Sequence, residues 1–126
     1  MWICMGAPNY YRGGSHCGNL SCSDAMDEDL VDILCSDYHF PAMLGSVVRM
    51  FEAGITPSRA INMVSYNPAK LLGLETTTGS IAVGLSADLV AWRAAAGFAA
   101  VSGVWVEGES KLSANYSHRI LSLADH

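Results

Sequence analysis

The chain has 126 residues, 51% hydrophobic and 15% charged, and its seven basic and twelve acidic residues give a net charge of −5. That apolar content excludes a disordered chain, and no run approaches the roughly 18 consecutive apolar residues of a membrane span. The acidic balance argues against nucleic acid or a membrane surface as partner, because both need a basic face.

In chain order, Trp2-Ile3-Cys4-Met5 reads as a short buried strand ended by Gly6. It is too short, and too poor in basic residues, for a signal peptide. Residues 7–20, rich in Gly, Asn and Ser, read as a loop. Ser21 followed three residues later by Asp24 is a capping-box-like start for an acidic helix through Leu30. Val31 to Cys35 reads as a buried strand, with Ser36-Asp37-Tyr38-His39 at its carboxyl end. Pro41 opens a helix whose Leu44, Val47, Val48 and Phe51 form one apolar stripe, and Gly54 ends it. Thr56-Pro57 caps a helix through about Ser65, and Asn67-Pro68 caps a shorter one stopped by Gly73. Beyond it, Gly79 to Gly84, Ala87 to Trp92 and Val101 to Val106 read as short strands, with a hairpin corner at Glu107-Gly108. The tail after Leu112 is weakly patterned.

A strand-loop-helix-strand opening suits a parallel βα unit, where ligands sit beyond the carboxyl ends of the strands. Asp37 and the 7–20 loop lie at such ends. From the residues alone, Asp37 is either a functional carboxylate or a cap for the helix after Pro41. Arg12 to Asn19 is either an anion-binding turn or a surface turn held by its own glycines. In the first reading backbone N–H groups cradle an anion and Arg12 adds a bidentate donor. Ser15, His16 and Asn19 would add neutral hydrogen bonds, with His16 also readable as a metal ligand or a loop histidine. Cys4, Cys17, Cys22 and Cys35 lack a C-x-x-C spacing and read as free thiols.

The run Asn67-Pro68-Ala69-Lys70-Leu71-Leu72-Gly73-Leu74, then Gly79-Ser80-Ile81, Gly84 and Ala87-Asp88-Leu89-Val90, resembles the carboxyl-terminal signature of the amidohydrolase superfamily. Gly6-Ala7-Pro8-Asn9, Arg12-Gly13-Gly14-Ser15-His16, Gly18-Asn19 and Ile33-Leu34-Cys35-Ser36-Asp37-Tyr38 resemble one branch, the diphosphatases of phosphonate metabolism in the carbon–phosphorus lyase pathway. The resemblance covers about residues 3 to 112. It implies an α/β fold: the last two βα units of a metal-dependent (β/α)8 TIM barrel (1–75), strands of a small β-sandwich (76–112) and a tail (113–126). A whole barrel takes roughly 250 residues, so the resemblance implies a missing N-terminal barrel or an oligomer partner, and inactivity of the chain on its own. The superfamily's His-x-His pair and mid-barrel His ligands have no counterpart here.

The resemblance further implies a cytoplasmic hydrolase that cleaves a ribosyl 5-triphosphate, a phosphorylated small molecule, to the 5-phosphate and pyrophosphate. Its cofactor would be a divalent metal such as zinc or manganese. Asp37 would be metal ligand and proton acceptor, and Arg12, Ser15, His16 and Asn19 would contact substrate. His39 departs from the family pattern and is left out of the site; Lys70 and Asp88 read as structural. Two alternatives stay open: hydrolysis of a cyclic amide C–N bond, and an inactive fragment or interaction module.

Overall fold

The computed structural model describes residues 1–13 and 21–115. Two short strands, β1 (Cys4–Gly6) and β2 (Ile33–Cys35), pair in parallel with Met5 opposite Leu34 and Gly6 opposite Cys35. Between them run α1 (Ala7–Arg12) and α2 (Cys22–Asp27), and after them α3 (Ala42–Glu52), α4 (Pro57–Val64) and α5 (Tyr66–Leu71). The chain then builds an antiparallel sheet in the order β3 (Leu89–Ala95), β4 (Phe98–Val106), β5 (Glu109–Ser113).

The core lies between the parallel pair and the helices. Leu34 of β2 meets Val47 and Met50 of α3 and Met63 of α4 in one buried cluster, with Met5 packed against it. The apolar stripe expected on α3 is present: Val47 and Val48 are buried, and Phe51 is half-buried against the cluster. Phe51 also stacks on Trp92 of β3, ring centroids 6.1 Å apart, which joins the antiparallel sheet to the helices.

Helix α1 corrects the first part of the loop expected over residues 7–20, of which 14–20 lie outside the described residues. Pro8 sits in its first turn, where no N–H is needed, and Gly13 closes it in a left-handed conformation with its N–H donating to the Tyr10 carbonyl. So short a helix is held by what it packs on. Tyr10 is buried, and the Tyr11 ring lies so close over Gly45 of α3 that a Cβ there would come within 2.6 Å of it. Ser46, fully buried, donates its hydroxyl to the Ala7 carbonyl at 3.1 Å.

Ser21 does cap α2, its Oγ accepting the Asp24 N–H at 3.1 Å, but that helix ends at Asp27 because Asp29 turns to a positive φ of 61°. Asn67 is not a cap. Helix α5 begins one residue earlier, and Asn67 Nδ2 reaches across to donate to the Asp32 carbonyl at 2.8 Å. Gly79 to Gly84 does not form a strand, since both glycines take positive φ, 96° and 94°. Gly79 is squeezed there against Ala69, and its carbonyl accepts from Ser65 Oγ at 2.7 Å. Asp88 is structural as expected: Oδ1 accepts the Glu107 N–H at 2.9 Å and Oδ2 the Thr78 hydroxyl at 3.2 Å. The corner at Glu107-Gly108 has two consecutive positive φ values, the signature of a type I′ hairpin, and leads into β5, which ends at Ser113, where the tail was expected to begin.

Candidate active site at the carboxyl ends of the parallel strands

Gly6 is the last residue of β1, and Asp37 follows two residues after the end of β2. Parallel pairing brings the two ends side by side. Asp37 holds a left-handed φ of 51°, a conformation that Asp tolerates better than most residues. This turns the carboxylate back over β1. A Cβ placed on Gly6 would lie 3.2 Å from Asp37 Oδ2 and 3.8 Å from Asn9 Nδ2. Glycine is therefore the residue that leaves room for the carboxylate and the amide to converge.

Asp37 is exposed, as are Tyr38, His39 and Phe40 after it. The helix-cap alternative for Asp37 fails, since α3 has Pro41 at its N-cap position and no side-chain cap. Arg12, in the last turn of α1, places its guanidinium 5.6 Å from the centre of the Tyr38 ring. Arg12 thus lies against the residue that follows Asp37. Ser15, His16 and Asn19 lie outside the described residues.

Sequence reasoning missed two supporting residues. Asn9 stands in the Gly6-Ala7-Pro8-Asn9 motif, and its signal is an amide one helical turn after Gly6. Arg49 of α3 fixes the carboxyl end of α1: it donates to the Tyr11 carbonyl at 2.9 Å and lies 5.6 Å from the Tyr10 ring centre. Burial pushes the Tyr10 phenol up, and the Arg49 guanidinium pulls the other way. Gly13, left-handed at a φ of 81°, also leaves room for Arg49, whose Nη2 would lie 2.9 Å from a Cβ at that position.

Among the described residues, no group of three or more His, Cys, Asp or Glu side chains converges to hold a metal ion. Asp37 offers a single hard carboxylate, and one exposed carboxylate does not by itself make a site for a divalent ion. Unaided, the exposed Asp37 carboxylate can accept a proton.

The sequence profile of the amidohydrolase family matches residues 18–111. The chain belongs to this family. It is 37% identical over 112 residues to the alpha-D-ribose 1-methylphosphonate 5-triphosphate diphosphatase of Escherichia coli, covering 86% of this chain and 29% of that protein. It is 43% identical over 51 residues to an imidazolonepropionase of Pseudomonas syringae pv. tomato, 40% of this chain and 12% of that one. The crystal structure of an amidohydrolase from Thermotoga maritima aligns with a TM-score of 0.55 at 28% identity, over 71% of this chain and 25% of that chain. This amidohydrolase-family chain thus spans less than a third of the diphosphatase it matches. Its parallel pair with helices is an α/β piece of such a hydrolase fold and does not itself close a barrel. Among the described residues no helix is long and apolar enough to cross a membrane.

Proposed function

We propose that the chain is the carboxyl-terminal part of a hydrolase that cleaves a ribosyl 5-triphosphate to the 5-phosphate and pyrophosphate. The observation that supports this most is the Asp37 carboxylate lying over Gly6, with Arg12 against the next residue, Tyr38. A triphosphate needs cationic donors, because the chain as a whole repels it. Arg12 presents a planar pair of N–H groups to phosphate oxygens. Asp37 takes the proton of a water whose oxygen bonds to the phosphorus nearest the ribose, while the bond to the bridging oxygen breaks and pyrophosphate leaves. The family resemblance implies a divalent metal, to which Asp37 would give one oxygen; the metal would polarise the phosphoryl group. Ser15, His16 and Asn19 remain substrate contacts in this proposal. A neutral cyclic amide does not need an anion-binding loop, which is why the C–N alternative ranks second.

The test joins this chain to the amino-terminal portion of the Escherichia coli diphosphatase, replacing the segment it matches. Pyrophosphate release by the chimera is the expected result. Asp37→Asn should cut it about 10²- to 10⁴-fold, the usual share of a general base. Arg12→Ala should cost roughly 1.5–3 kcal/mol, or about ten- to a hundredfold in kcat/KM. That loss should be larger for a triphosphate than for a monophosphate ester, at unchanged metal content. A folded, metal-loaded chimera that opens cyclic amides and ignores the triphosphate would replace this reading with the alternative.

A further inference from the structure

The register of the parallel pair sorts its side chains onto two faces. Met5 and Leu34 are opposite each other and face the helices, Leu34 in the buried cluster and Met5 packed on it. Period-two alternation then puts Cys4 and Gly6 of β1, with Ile33 and Cys35 of β2, on the other face. Cys4 is paired with Ile33, so Cys35 is its diagonal neighbour, and both cysteines are exposed free thiols. Burial first, and then the neighbouring Cys35 thiol, push the Cys4 thiol above its ordinary range. This is also the face over which Asp37 lies, since Gly6, the register partner of Cys35, is the residue the carboxylate covers. Cys22 does not belong to the pair: it is 1% exposed and sits in the core cluster.

We propose that Cys4 and Cys35 form a dithiol site for a soft, thiophilic centre, of which a trivalent arsenical is the representative. Two thiols on the same face of adjacent strands can converge as a pair of soft donors on one acceptor atom. With phenylarsine oxide, two As–S bonds form and the arsenic-bound oxygen leaves as water, carrying both thiol protons. Nothing is oxidised or reduced. Once one sulfur is bound, the second closes an intramolecular ring, so retention should exceed that of a single thiol by roughly 10²- to 10⁴-fold. The site does not depend on the hydrolase reading, because neither thiol takes part in it.

The experiment uses the 126-residue chain, reduced with a thiol-free phosphine, treated with phenylarsine oxide and followed by intact mass. Wild type and Cys17→Ser should keep one adduct through excess monothiol and lose it to a dithiol. Cys4→Ser and Cys35→Ser should shed it in monothiol. In wild type, the bound arsenical should protect two thiols from alkylation, and peptide mapping should place them at Cys4 and Cys35, a readout that needs no variant to fold. Protection of another pair, retention in Cys4→Ser, or stripping of the wild-type adduct by monothiol would each overturn the proposal.

Discussion

The helix-backed parallel pair and the antiparallel sheet spend their residues differently. In the first, Leu34, Val47, Met50 and Met63 are fully or almost fully buried, and the strands are only three residues long. In the second, the strands are longer, yet β5 is exposed throughout and Val90, Val106 and Leu112 are about half exposed. The one buried residue of β4 is Gly103, roofed by the Trp105 indole. Their aspartates differ in the same sense. Asp88 spends both carboxylate oxygens on the hairpin and the 78 turn. Asp37 is exposed in a left-handed turn at the strand ends. A carboxylate saturated by its own fold stabilises it; one held open at a strand end has capacity left for chemistry.

The contrast breaks first at the core. Leu34→Ala should cost about 2–5 kcal/mol, transfer plus cavity, whereas Val106→Ala on the antiparallel sheet should cost below about 1 kcal/mol. Urea melts of the two variants measure the gap, and equal losses would mean that the sheet carries a core of its own. At the seam, Gly79→Ala meets Ala69 Cβ at 2.5 Å and inherits a φ of 96°. It should lose roughly 1–3 kcal/mol through crowding and strain, read by the same melts. The smallest effect concerns acid. The Glu107 N–H above all, with the Ser86 and Thr78 hydrogen bonds, holds the Asp88 carboxyl below its ordinary range. A carboxyl depressed in the folded state contributes stability above its ordinary pKa of about 4, lost as pH falls through the lower folded value. Amide exchange in the hairpin should therefore quicken below about pH 4 in wild type, and Asp88→Asn should flatten that response while leaving α3 unaffected.

Much of this was legible because local chemistry and tertiary packing agreed. The Ser21 cap, the stripe on α3, the structural role of Asp88 and the Glu107-Gly108 corner all follow from short-range rules. Helix α1 was hidden because Pro8, Asn9 and the glycines that follow carry a loop composition, and its stability comes from Ser46, Arg49 and Gly45, some 35 to 40 residues away in sequence. Asn67 looked like a cap because its long-range acceptor, the Asp32 carbonyl, has no local signature. For the site, the strand-end placement of Asp37 was readable from element order. The left-handed turn that lays the carboxylate over Gly6 was not, since it exists only once β1 and β2 are paired.

The Phe51–Trp92 stack has a spectroscopic consequence. The rings lie 18° from coplanar, one on a helix of the cored half and the other on the antiparallel sheet. An indole held at fixed orientation beside a phenyl ring gains near-ultraviolet circular dichroism, a signal that fades when side-chain packing loosens even if secondary structure persists. The chain carries tryptophans at 2, 92 and 105, so the Trp2→Phe, Trp105→Phe form would isolate Trp92 as an intrinsic optical gauge of whether the two halves are docked.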